Sequence, residues 1–169
     1  AAILDGNDTS RLAKNLVRGA RIAQSAGAGY DGTVRGEATF IMDGQPAEGR
    51  SVAELEAALR AEIVRIQTAG ITPEELARVK TQLIAGQTYK RDSLMAQAME
   101  IGGMEAVGLS WRDVDLLVDQ LKGVTAAEVQ AVARKYFTDD TLTIAVLDPQ
   151  LMDAAAPEPS ANPAIKTLH

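Results

Sequence analysis

The chain has no cysteine, so disulfides, thiolate nucleophiles and cysteine-based zinc sites are all excluded. That absence leaves the compartment open between cytoplasm and periplasm. Histidine is almost missing too: His169, the last residue, is the only one. A hydrolytic zinc site normally needs two or three imidazoles with a carboxylate, and this chain cannot assemble one. Aromatics make up 4% of the residues, so the core must be aliphatic. Positive charge is in deficit, 17 Lys and Arg against 23 Asp and Glu, for a net charge of −6. That balance argues against nucleic acid as a partner, because phosphate binding needs a cationic face. No apolar run approaches the roughly 18 residues of a membrane span, and no basic-then-apolar signal pattern is seen.

What remains is enough for one domain. A chain of 169 residues can bury a real core, and 46% hydrophobic with 24% charged residues is ordinary for a globular protein. The opening Ala1-Ala2-Ile3-Leu4 reads like the interior of a helix, so a fragment of a longer chain is expected.

Helix starts are legible. Ser51-Val52-Ala53-Glu54, Thr72-Pro73-Glu74-Glu75 and Thr125-Ala126-Ala127-Glu128 read as capping boxes, and Ser110-Trp111-Arg112-Asp113 as a looser one. Pro73 stands at the first helical position, where its missing N–H is not needed. Staples between Ile71 and Leu76, Leu109 and Val114, and Val124 and Val129 are expected to accompany them. Val52, Leu55, Leu59, Ile63 and Ile66 recur on one helical face, with Gly70 as its stop. Leu76, Val79, Leu83 and Ile84 make a second stripe, and Val129, Val132, Ala133 and Tyr136 a third. Residues 92–107 read as a helix weakened near Gly102-Gly103. Its Met95, Met99 and Met104 are expected to pack in the core, and Trp111, beside a cap, is expected to serve packing and not as a ligand platform.

Strand signals are fewer. Residues 22–30 are small and glycine-rich, residues 34–42 partly alternate, and Tyr30-Asp31-Gly32-Thr33 between them reads as a hairpin turn. Gly27 and Gly29 are expected to permit close backbone approach. Thr141–Leu147 reads as a late strand that joins the hairpin's sheet, since an isolated hairpin is barely stable. Asp139-Asp140 reads as the turn before it, and Glu74-Glu75 as charge favouring a helix N-terminus. The order is α+β: an antiparallel sheet with helices packed on one face. Residues 1–149 read as one domain and 150–169 as a Pro/Ala-rich tail.

Several of these segments resemble the M16 metallopeptidases, the pitrilysin, insulysin and mitochondrial-processing-peptidase family. Gly70-Ile71-Thr72-Pro73-Glu74-Glu75-Leu76-Ala77-Arg78-Val79-Lys80 is similar to that family's G-[VI]-T-x-x-E-L-x-R-x-K signature. Gly123–Val129, Lys135-Tyr136-Phe137 and the run through Pro149 resemble its domain ending. Leu4-Asp5-Gly6 with Ser10-Arg11-Leu12 resembles its L-G-G-G-x-S-S-R-L helix start, with Asp5 departing from the pattern.

The resemblance implies an antiparallel sheet backed by helices, of the LuxS/MPP-like type, lacking its first strand. It implies a non-catalytic second domain of a bacterial zinc-protease subunit, one wall of a peptide-enclosing chamber. Zinc is then expected not in this chain but in the parent's N-terminal domain, held by an H-x-x-E-H motif that this sequence does not contain. The implied partners are that zinc domain, a sister M16 subunit and an extended or unfolded polypeptide. The alternative is an inactive structural or assembly subunit.

Many family members carry L-R-E-K-R-G-L-A-Y where this chain has Leu16–Gln24. There the first Arg and the Tyr stabilise the developing oxyanion. Alignment places Val17 at the Arg and Gln24 at the Tyr, so the pair is replaced. Arg18 and Arg21 project about 100° or more away from position 17 on a helix. In two-subunit relatives one subunit holds zinc and the other the Arg/Tyr pair, so loss of the pair points to the zinc-bearing partner.

Overall fold

The computed structural model describes residues 1–148. The chain opens with a single turn rather than the helix interior expected, its Leu4 and Asp5 amides donating to the Ala1 carbonyl. A π-helix follows at Ala13–Gly19, then β1 (Ala23–Tyr30) and β2 (Phe40–Pro46). Five α-helices complete the fold: α1 (Val52–Ala69), α2 (Pro73–Lys90), α3 (Leu94–Ala106), α4 (Asp113–Gly123) and α5 (Ala126–Tyr136). The class is α+β, as the sequence predicts.

The strands pair antiparallel, with Ala28 opposite Met42 and Tyr30 opposite Phe40. The tight Asp31-Gly32 hairpin is not formed. Residues 31–39 make a long connection instead, and β2 begins at Phe40 rather than near Val34. The reason is local: Arg35, Gly36 and Glu37 are exposed, and Gly36 takes φ 92°, which ends extended backbone. Of the expected face, Phe40 and Met42 pack on the core, whereas Val34 is exposed.

Helix α1 lies against β2 of this hairpin, α5 lies against α1, and α2 meets α4. Gly44 is required by that closeness, since a Cβ there would lie 3.0 Å from the Ser25 carbonyl oxygen and 3.2 Å from Leu55 Cδ2. By contrast Gly27 faces the Asp43 carboxylate, and Gly29 borders open space. Leu12, Leu16, Ala23, Leu55, Ile63 and Ile66 form the centre of the core, and Phe137 meets Phe40 edge to face at 4.8 Å. The C-terminal end of α1 is tied to α5 by side chains. Gln130 and Arg134 donate to the Gln67 carbonyl, and Gln67 donates to the carbonyls of Ala133 and Phe137.

Caps at Ser51 and Thr125 form as complete boxes. Thr72 accepts from the Glu75 amide, and the Glu75 carboxylate turns to Arg11. At Ser110 only the Asp113 arm is made, and α4 starts at Asp113.

Three burial expectations are corrected. Met104 is buried, but Met95 and Met99 are exposed, because among the described residues no other element packs closely along α3. Trp111 is half out of the protein, with the Arg112 guanidinium stacked on its ring at 4.5 Å. In α5 the buried stripe runs through Ala126, Val129, Ala133 and Phe137, while Val132 and Tyr136 face outward.

The late strand is also corrected. Asp139–Thr141 is a 3₁₀ turn, and residues 142–148 pair with neither β1 nor β2. Their apolar side chains at Leu142, Ile144, Val146 and Leu147 are exposed, so no buried face fixes a register. The 150–169 tail lies outside the described residues. Among the described residues no helix is long and apolar enough to cross a membrane.

Candidate functional site

Residues 13–24 carry three backbone irregularities in succession. The π-helix at Ala13–Gly19 is closed by the Ala20 amide donating to the Asn15 carbonyl, five residues back. π-Helical turns are rare and concentrate at functional sites. Gly19 is demanded by that turn, since a Cβ would lie 2.9 Å from the Lys14 carbonyl oxygen. Arg21 then adopts φ 51°, the left-handed region that non-glycine residues seldom occupy. Between Ala23, opposite Pro46, and Ser25, opposite Gln45, the register slips by one, leaving Gln24 as the extra residue of a β-bulge.

These irregularities separate the two positions of interest. Val17 is half-buried and packs against the core. Gln24 is exposed on the bulge. No hydrogen bond joins them. None of the three irregularities is legible in composition or periodicity, although Gly19, between Arg18 and Arg21, marks where the helix stops.

Beside the π-helix, across from α1, is an open cleft of about 710 Å³. Ala57, Ala58 and Ala61 lie along its α1 side, and Leu16, Gly19 and Ala20 along the other. At one end sits Glu62, whose side chain is 0% exposed. Its Oε1 accepts from Asn15 Nδ2 at 2.9 Å and from the Arg65 guanidinium, while Oε2 has no hydrogen-bond partner. This buried carboxylate is absent from the sequence reading. A signal existed: Glu62 is seven residues after Leu55 and four before Ile66, on the apolar stripe itself.

A smaller cleft of about 330 Å³ lies on the Arg11 side of Glu62. Here Arg11 grips Glu75 with two bonds of 2.8 Å and donates to the Gly70 carbonyl at 3.1 Å. The guanidinium holds the Glu75 carboxyl below its ordinary value, chiefly by direct hydrogen bonding, and Glu75 in turn raises Arg11. Glu75 is thus more than N-terminal charge. It fastens the start of α2 to the segment that leads into the π-helix.

The donor set does not fit zinc. Among the described residues no three of His, Cys, Asp and Glu are grouped to hold a metal ion. The two buried or half-buried carboxylates here are engaged by guanidinium groups. No hydrolytic step can be derived from these residues.

Residues 1–83 match the family model described as "Peptidase M16 inactive domain". No curated protein matches the chain. Among solved structures, a protease from Helicobacter pylori shares the fold with a TM-score of 0.75 at 18% identity, over 83% of this chain and 33% of that one. This chain therefore spans about a third of that protease. A "putative zinc protease" from Bordetella pertussis Tohama I gives 0.70 at 18% identity, over 83% of this chain and 77% of its own. The "inactive peptidase domain of a putative zinc protease" from Bordetella parapertussis gives 0.74 at 20% identity, over 94% and 83%. The chain is thus similar in sequence to the M16 inactive-domain model over residues 1–83, and it shares its fold with these solved structures over most of its length.

Proposed function

We propose that this domain is a non-catalytic wall of a zinc-protease chamber. In this reading it binds the zinc-bearing N-terminal domain of the same parent polypeptide and a sister M16 subunit, and helps to enclose a peptide or unfolded polypeptide. The proposal is carried by the sequence resemblance, which aligns Val17 and Gln24 with the Arg and Tyr of active relatives. Val17 brings no charge, and Gln24 can donate a hydrogen bond but is shorter than a phenol. A domain with neither zinc ligands nor the oxyanion pair supplies shape and surface only. Divided labour between subunits then assigns zinc to this chain's parent and the Arg/Tyr pair to the sister.

The experiment uses the parent polypeptide with and without the sister subunit. Zinc content is measured by mass spectrometry, and cleavage with a quenched fluorescent peptide. The expected result is about one zinc per parent, as in three-ligand catalytic sites, and cleavage only when both subunits are present. A parent that holds no zinc and remains inert in every combination overturns the proposal in favour of a structural or assembly subunit.

A further inference from the structure

The charge of this acidic chain is unevenly spread around the cleft between the π-helix and α1. Between Asp8 and Asp31 there is no acidic residue, but there are four basic ones: Arg11, Lys14, Arg18 and Arg21. Arg11 is taken by Glu75. Lys14, Arg18 and Arg21 are exposed, and none makes an ion pair among the described residues. The charged residues lining the cleft are Lys14, Glu54, Glu62 and Arg65. Glu54 is held by the Ser51 amide and Arg50, and Glu62 by Asn15 and Arg65. Lys14 is therefore the unpaired charge of the lining, and Arg18 and Arg21 flank the Gly19-Ala20 turn that forms its edge.

We infer that this cleft binds an acidic, extended polypeptide segment, with the backbone over the alanines of α1 and carboxylates toward Lys14, Arg18 and Arg21. The inference rests on the chamber reading for the identity of the polypeptide as substrate or partner. Charge complementarity selects the sign. The cleft's own carboxylates are already paired, so a basic segment would meet the unpaired Lys14 of the lining, with Arg18 and Arg21 next to its Gly19-Ala20 edge in the chain, whereas an acidic one can pair with them. Its walls select peptide over nucleic acid. Leu16, Ile22, Ala57, Ala58 and Ala61 offer aliphatic contact, and no aromatic ring lines the cleft on which a base could stack. Side chains at 57, 58 and 61 are small enough for main chain to approach closely.

The test measures fluorescence anisotropy on the 169-residue chain with three labelled peptides of equal length: alternating Glu/Ser, its Gln/Ser isostere and alternating Lys/Ser. A labelled oligothymidylate is the fourth probe. At low ionic strength the Glu/Ser peptide is expected to bind at least about tenfold tighter than the isostere, a preference that shrinks as salt shortens the Debye length below about 10 Å. Amide shifts should map to Gly19, Ala20, Ala57, Ala58 and Ala61. A triple variant, Lys14→Gln, Arg18→Gln and Arg21→Asn, should abolish the preference. All three side chains are exposed, and asparagine tolerates the left-handed backbone at 21, so circular dichroism should show an unchanged fold. Equal affinity for the acidic and neutral peptides overturns the inference, as do shifts that map elsewhere, a preference that survives the triple variant, or oligothymidylate binding as tightly. An acidic preference in a chain whose parent proves inert keeps the cleft and removes only the chamber. A proteolytic parent without the preference does the reverse.

Discussion

Leu12 and Leu94 are the same residue in the same chain, yet one is 0% exposed and the other 85%. The difference is regional. Leu12 belongs to the part built from the π-helix, the hairpin, α1 and α5, where nearly every buried apolar residue lies. Leu94 opens α3, where Leu94, Met95, Met99 and Ile101 point outward and Met104 is the residue of that helix that is buried. Both regions are rich in apolar side chains. What separates them is whether a second element covers the face: β2 and α5 lie on α1, and nothing comparable among the described residues lies on α3. Hydrophobic pattern reports the wish to be covered, and packing reports whether it is met.

The largest effect that can challenge this comparison is a cavity in the covered region. Leu12→Ala or Leu55→Ala should each cost about 3 kcal/mol in denaturant unfolding, combining lost transfer energy with an unfilled void. A cost under about 1 kcal/mol would mean that the first region is no better packed than α3.

Next comes the polar group inside that region. Glu62→Ala removes the acceptor of Asn15 and Arg65 and should cost about 2 kcal/mol, because the half-buried Asn15 amide is left without its partner. The double variant with Asn15→Ala should cost less than the sum of the two single changes. Simple additivity would show that Glu62 does not hold the π-helix to α1.

The periodic part of the covered region was readable from sequence, and the aperiodic part was not. Leu55, Leu59, Ile63 and Ile66 announce α1 by spacing, and Ser51 and Thr125 announce their helices by the box that forms around them. Spacing is local, so it survives without knowledge of the partner. The π-helix, the bulge at Gln24 and the long 31–39 connection depend on how neighbouring elements meet, and no residue period encodes that. The failure at Met95, Met99 and Leu142–Leu147 has the same origin. A segment's own pattern cannot say whether the surface that would bury it is present. At the candidate site, the residue types at 17 and 24 were legible by resemblance. That one faces the core and the other solvent emerged only from the fold.

A smaller effect separates the regions by pH. Arg11 keeps the Glu75 carboxyl below its ordinary 4.5, so the folded-state value is depressed relative to the unfolded chain. The stabilisation is therefore fully present above about pH 4.5 and is lost as pH falls through the folded value. Both side chains keep some solvent contact, so the contribution is on the order of 1 kcal/mol. Urea unfolding of the wild type and Arg11→Ala at neutral and acid pH should show a gap that narrows on acidification. A gap that widens instead would reverse the sign and detach Glu75 from Arg11.

The smallest effect belongs to the uncovered helix and gives the sharpest test of the contrast. Met95 and Met99 are 72% and 70% exposed, so most of their thioether side chains is already in water in the folded state. Replacing either with Gln removes little burial and keeps a good helix former, so stability should change by no more than about 0.5 kcal/mol. The same replacements should raise solubility, because they break up an apolar surface that favours self-association. Equilibrium unfolding and sedimentation measured on one sample can separate the two outcomes. If Met95→Gln or Met99→Gln destabilised the monomer by more than about 2 kcal/mol, these side chains would have to be buried in solution. Leu12 and Leu94 would then no longer mark two different regions.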